Sequence, residues 1–238
     1  YIAEKKDVST PFMVNLDGFI LTHTYETVDV PTPEQADEFL PPYETENKLD
    51  LDHPRNLAFS AGPEHNYIFK YKEHVGVLNS VPVIKEAEEK FEKIFGRKYT
   101  GLVEKYKTDD ADYVIITLGS ISGLCRETAD SLRERGAKAG VLRLRYLRPF
   151  PEKEIAEAVK NAKAIAVLEK DISFGSEGTV YTNVNSALHK NGSTVPTYNF
   201  IGGLGGRNIS REDILGIYEH MKNGGEKLNF IGIGGGQQ

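Results

Sequence analysis

An α/β domain on a mainly parallel sheet, carrying an appendage, is the fold the sequence predicts. Short continuous apolar runs such as Tyr113 to Leu118 recur in the second half of the chain, the pattern of strands covered on both faces. Between them lie stretches with apolar residues three and four apart, the stripe of an amphipathic helix. With 238 residues and 39% hydrophobic content, the chain can also bury a proper core.

Taken in order, Tyr1 to Lys6 reads as the end of a helix and Thr10 to Leu16 as a short strand closed by Asp17-Gly18. That strand has no partner nearby in sequence. Residues 1–30 therefore read as the last βα piece of a domain whose body lies upstream, and a chain that begins at Tyr1 rather than Met fits that reading. Residues 31–109 form a connector with helices, marked by Pro31, Pro33, Pro41, Pro42, Pro54 and Pro63. Its length suits a segment wrapped over a surface, with Phe39, Leu40, Tyr43 and Leu57 to bury. Asn66 to Phe95 reads as helical; Pro82 is expected to kink or split it, and Gly96 to end it.

Residues 110–222 carry the α/β rhythm. Tyr113 to Leu118 is a strand, Gly119-Ser120 a turn, and Ile121, Leu124, Cys125, Thr128, Ala129 and Leu132 one helical stripe ending at Gly136. Ala139 to Leu147 is the next strand, and Pro151 opens a helix with Glu152 and Glu154 in its first turn. Ala164 to Leu168 is a third strand, followed by the polar loop Glu169 to Gly178 and a helix carrying Val180, Tyr181 and Val184. Thr194 to Ile201 is the fourth, followed by GGLGGR at 202–207. Ser210 caps a last helix, with Asp213 at capping-box spacing. Residues 223–238 read as a loose tail.

A net charge of −6, with scattered lysines and arginines, argues against nucleic acid as a partner. No run approaches the ~20 apolar residues needed to span a bilayer, and the cytoplasm is the expected location. One cysteine, Cys125, rules out an internal disulfide framework and an iron–sulfur cluster held by this chain alone. No group of side chains stands at metal-ligand spacing. GGLGGR fails the dinucleotide fingerprint, because Asn208 stands where its last glycine should be. Arg207 there is free to meet a carboxylate or an anion. Arg143 and Arg145 alternate along an interior strand, so something acidic must meet them; an intrachain salt bridge and a subunit interface are the two readings. His23 follows Asp17-Gly18-Phe19 at a strand's carboxyl end, where ligands gather in α/β sheets. It is the one catalytic candidate, weighed against a histidine that bonds a neighbouring backbone group.

PFMVNLDGF, THTYE, FLPPY, FGRKY, DADYVIITLGS, GVLRLRYLRPFP, AVLEKDISFGSEG and GGLGGRNIS, in this order, resemble the alpha subunit of pyruvate:ferredoxin oxidoreductase (pyruvate synthase), from residue 1 to about residue 222. The resemblance implies a five-stranded, transketolase C-terminal-like α/β sheet over 110–222, preceded by the long connector and the end of a thiamine-pyrimidine-type domain. It implies reversible oxidative decarboxylation of pyruvate, with an acetyl group passing to coenzyme A and electrons to ferredoxin. Thiamine diphosphate, Mg2+ and 4Fe–4S clusters are implied for the complex, none of them held by this chain alone. The implied partners are beta, gamma and ferredoxin-like iron–sulfur subunits and ferredoxin itself. The family's cofactor-activating glutamate, and its threonine and arginine that hold pyruvate, belong to a part absent from this sequence. The chain alone should be inert. A 2-oxoglutarate or branched-chain 2-oxoacid enzyme of the same superfamily is the near alternative, and a noncatalytic assembly domain is another.

Overall fold

A computed structural model describes residues 1–58 and 60–233. The chain divides into two compact units, Tyr1–Gly101 and Leu102–Gln238.

In the first unit, three helices are α1 (Ile20–His23), α2 (Pro33–Phe39) and α3 (Pro63–Phe95). Thr32 caps α2 in a reciprocal capping box with Gln35. Proline at the first position starts α3, and Gly96 ends it in the left-handed conformation at φ 68°. Of the expected kink or split at Pro82, the split does not occur: α3 runs on through it to Phe95. Proline removes one ladder bond there, and Ile84 and Ala87 just beyond it are buried. Phe39 packs edge-on against Phe91 and Phe95, with ring centroids 5.5 and 5.8 Å apart. Two further expectations fail. Tyr1 to Lys6 forms turns rather than a helix end, and Thr10 to Leu16 pairs with no strand. Met13, Val14 and Leu16 lie exposed along it; without a neighbouring strand, an apolar run has nothing to complete its ladder.

The second unit is an α/β sandwich. Its elements are β1 (Val103–Tyr106), β2 (Tyr113–Leu118), α4 (Ile121–Glu134), β3 (Ala139–Leu144), α5 (Glu152–Val159), β4 (Ala164–Glu169), α6 (Thr179–Lys190), β5 (Thr197–Ile201), α7 (Arg211–Asn223) and β6 (Leu228–Phe230). The sheet order is β1-β3-β2-β4-β5-β6. Among the described residues, β1 alone is antiparallel, against β3, and the other pairings are parallel. The sheet thus has six strands where five were expected. Alternate residues of each strand supply two cores. Val114, Ile116, Leu142 and Val167 join α5 and α6 on one face, and Ile115, Val141, Ala166 and Leu168 join α4 and α7 on the other.

The strands absent from the sequence reading are both edges. Val-Glu-Lys-Tyr and Leu-Asn-Phe are short and half polar, as edge strands commonly are. The expected loose tail therefore contributes β6, held by Ile231 N–H donating to Ile201 O at 2.8 Å; the last residues of the tail, 234–238, lie outside the described residues. β3 also stops at Leu144, three residues before the expected Leu147; Arg145 N–H still donates to Leu102 O at 3.0 Å, one step beyond the paired residues of β1 and β3. Among the described residues, no helix is long and apolar enough to cross a membrane.

Candidate functional site

From β2 the chain passes to β3 on one side, and β4 pairs with β2 on the other. The strand order reverses between them, so a crevice belongs at the carboxyl ends of β2 and β4. The last residue of β4 is Glu169, 1% exposed. Its Oε2 accepts the N–H of Val180 at 2.7 Å, and its Oε1 accepts the N–H of Tyr181 at 3.1 Å and an Asn199 Nδ2 hydrogen at 2.8 Å. Asn199, buried on β5, accepts the N–H of Gly178 through Oδ1 at 2.8 Å. The first turn of α6 is thus closed by the chain's own carboxyl group, where a bound anion would otherwise sit. A Cβ on Gly178 would fall 1.9 Å from Glu169 Oε1, so only glycine lets the helix approach this closely. Burial, together with a hydrogen bond that the protonated carboxyl donates to the Asp171 carboxylate, pushes Glu169 up to about 8, against the opposing pull of the two backbone N–H groups.

This anchored base supports an ordered loop. Ser176 N–H donates to Ser173 O at 2.9 Å and Ser173 N–H to Glu177 O at 3.1 Å, with Gly175 at φ 83° completing the turn. Phe174 stands at its tip, 92% exposed.

The arginines separate in the structure. Arg143 faces Glu104 across the β1–β3 pair, Nη1 to Oε2 at 3.5 Å, and Arg126 of α4 meets the same oxygen through Nη2 at 2.6 Å. The acid demanded by the strand's alternation is Glu104, from an edge strand the sequence reading passed over. The Nη2 of Arg126 makes a close ionic contact there without hydrogen-bond alignment, and Nε of both arginines is buried without a partner. Arg145 lies just past the end of β3, its guanidinium 5.8 Å from the Tyr146 ring centroid. Arg207 donates from Nη2 to Gly232 O at 2.6 Å, tying the segment after β6 to the loop after β5.

In the first unit, His23 closes α1 and is exposed; its Nδ1 lies 2.7 Å from Phe19 O and 3.4 Å from Thr22 Oγ1. A bond to a carbonyl oxygen puts the proton on Nδ1 and leaves Nε2 as an acceptor in the neutral ring. Cys125 is buried, and burial pushes its thiol up to about 12. Among the described residues, no three His, Cys, Asp or Glu stand together as metal ligands. Glu169 and Asn199 escaped the sequence reading as site residues. The signal was a glutamate closing the apolar run AVLE just before a glycine-bearing loop.

Comparison with known proteins places two family models on this chain. The thiamine diphosphate-binding model of pyruvate flavodoxin/ferredoxin oxidoreductases matches residues 1–90, and the pyruvate:ferredoxin oxidoreductase core domain II model matches residues 111–214. The pyruvate synthase subunit PorA of Methanothermobacter thermautotrophicus is 39% identical over 232 residues, covering 98% of this chain and 59% of the relative. PorA of Pyrococcus abyssi is 41% identical over 210 residues, 88% of this chain and 53% of its own. The ketoisovalerate oxidoreductase subunit VorA of the same organism is 40% identical over 216 residues, 90% and 55%. The chain thus spans a little over half the length of the relatives it matches. A solved 2-oxoglutarate:ferredoxin oxidoreductase from Magnetococcus marinus overlaps 72% of this chain and 26% of its own at 19% identity and a TM-score of 0.43, too distant to carry residue positions across.

Proposed function

This chain belongs to the pyruvate:ferredoxin oxidoreductase family, and we propose that it is part of the alpha subunit of a thiamine diphosphate-dependent enzyme acting on pyruvate. The reaction is pyruvate, coenzyme A and two oxidised ferredoxins to acetyl-CoA, carbon dioxide, two reduced ferredoxins and a proton, and it is reversible. The observation that carries this reading is similarity over 98% of the chain to a pyruvate synthase subunit. The VorA relative, at 40% identity, favours a branched-chain 2-oxoacid as the second reading.

A single buried thiol cannot hold a 4Fe–4S cluster. The N–H groups at the start of α6 already hold Glu169, so they offer nothing to a diphosphate. Thiamine diphosphate, Mg2+ and the clusters are therefore assigned to other parts of the assembly, with beta, gamma and iron–sulfur subunits as partners in the cytoplasm. Residues 1–30 act as the end of the thiamine-pyrimidine-type domain and 31–109 as a connector leading to 110–222. His23 is assigned a place beside cofactor or substrate, and Arg145 and Arg207 contacts with anions or a neighbouring subunit, while Arg143 takes the intrachain reading through Glu104.

In the assembled enzyme, pyruvate-dependent viologen reduction is expected, with kcat/KM for pyruvate at least tenfold above that for 3-methyl-2-oxobutanoate; the reverse order would select the second reading. The purified 238-residue chain alone is expected to show no turnover. His23→Ala is expected to lower kcat at least tenfold with Tm unchanged. Normal kinetics with a lowered Tm would make His23 structural.

A further inference from the structure

Glu169, the last residue of β4, and Asp171, two residues further into the loop that follows, place two carboxyl groups within hydrogen-bond reach of each other. Glu169 is sealed from water, and its oxygens accept Val180 N–H, Tyr181 N–H and Asn199 Nδ2. Two carboxylates this close cannot both stay charged when one is out of water, so the pair shares a proton. That proton ties the start of loop 170–178 to the strand end it leaves. The far end is fixed independently, through Gly178 N–H on Asn199 Oδ1 at 2.8 Å. Between the two, Ser173 N–H donates to Glu177 O and Ser176 N–H to Ser173 O, a turn closed on the far end. Asp171 is thus the link at the near end.

We propose that the shared proton is a latch on this loop: while it is held, Asp171 is pinned to the end of β4, and its loss lets residues 170–172 swing outward while the first turn of α6 stays anchored. The asymmetry follows from what each carboxyl touches. An ionised Glu169 holds its three donors more strongly, since hydrogen bonds to a charged acceptor are the stronger ones, and it has no path to water. Asp171 is half-buried and gains hydration by turning away. The other charged groups around the pair are Lys170, whose chain lies against Gly203, Glu177, whose Oε1 accepts the Thr182 hydroxyl, and Arg148, which donates to Asn183 on α6; Glu152 of α5 pairs with Lys190. Asn199, facing from β5, does not titrate. Burial holds Glu169 up at about 8, so the latch opens as pH rises from neutral. The loop borders the crevice at the carboxyl ends of β2 and β4, and the swing changes the mouth of that crevice. None of this depends on which 2-oxoacid the enzyme takes.

Ile172, next to Asp171, carries a methyl group that reports on the near end of the loop at any pH. In the complete enzyme, with 13C at the isoleucine δ1 methyls, the Ile172 signal is expected to move along one sigmoid centred near pH 8, and its order parameter to fall by about a third. Ile165, buried inside β4, should show neither change. Glu169→Gln removes the titrating group and Asp171→Asn the like charge, so each alone should abolish the sigmoid. Asp171→Asn leaves the buried contacts of Glu169 in place, so it keeps the test open if Glu169→Gln folds poorly. A parent enzyme with no step between pH 6 and pH 9.5 overturns the proposal, as does a step that survives in Asp171→Asn or that Ile165 shares.

Discussion

Replacing Glu169 by glutamine puts an NH2 group where the protonated carboxyl holds its O–H toward Asp171, but Val180 N–H, Tyr181 N–H and Asn199 Nδ2 all donate to the two carboxyl oxygens. Wherever the amide nitrogen is placed, at least one of these three donors loses its acceptor in a buried site, and the expected cost is about 1–3 kcal/mol in denaturant unfolding. The same residue sets a pH dependence. Burial holds its carboxyl up at about 8 in the folded chain, against the ordinary 4.5 of an exposed glutamate, so between those values the native state keeps a proton that the unfolded state has lost. Stability should therefore fall as pH rises from about 5 to 8, by up to a few kcal/mol, and level off above. Glu169→Gln should lack that fall, seen as a shrinking difference from the parent across the range; parallel curves would place the folded value near 4.5. Little of this was legible beforehand. A glutamate ending an apolar strand is visible in sequence, but its partners are backbone N–H groups across a loop and an asparagine from another strand. Arg143 was more legible, since alternation demanded an acid, and Glu104 meets it.

Strands and helices were read best where both faces are covered. β2 and β4 are nearly continuous apolar runs, β3 and β5 are mostly apolar with Arg143 and Asn199 as exceptions, and their helices keep a single stripe, so patterning located them. β1 and β6 escaped because one edge of each faces solvent and tolerates Glu, Lys and Asn. Thr10 to Leu16 misled for the converse reason, being apolar without a neighbour. Within α3, Gly76 is buried, and a Cβ there would sit 2.4 Å from Val8 O, a backbone atom that cannot swing aside. Gly76→Ala is expected to destabilise the first unit by about 1–3 kcal/mol despite alanine's better helix propensity. Gly216 in α7 meets nothing within 4 Å, so Gly216→Ala should instead stabilise the second unit by about 0.5–1 kcal/mol. Thermal unfolding of the two variants should move in opposite directions.

At the scale of the molecule, the compact division falls between Gly101 and Leu102, whereas composition alone put it at Asp110, the edge strand between the two points having read as connector. The α/β class and the family were legible from patterning and motif order, while the contact of Glu169 with Asn199 was not, because the two come from strands that only the sheet brings side by side. The closure of α6 by Glu169 has a kinetic counterpart. Amide protons in a helix's first turn ordinarily trade with deuterium in solvent early, having no acceptor within the helix. Those of Val180 and Tyr181 point instead at a carboxyl that is itself sealed under β4 and β5. They should be released only when that whole corner of the sheet opens, on the same clock as the interior amides of β4, so that a slow-exchange map would show protection beginning at the first turn of α6 rather than a turn later.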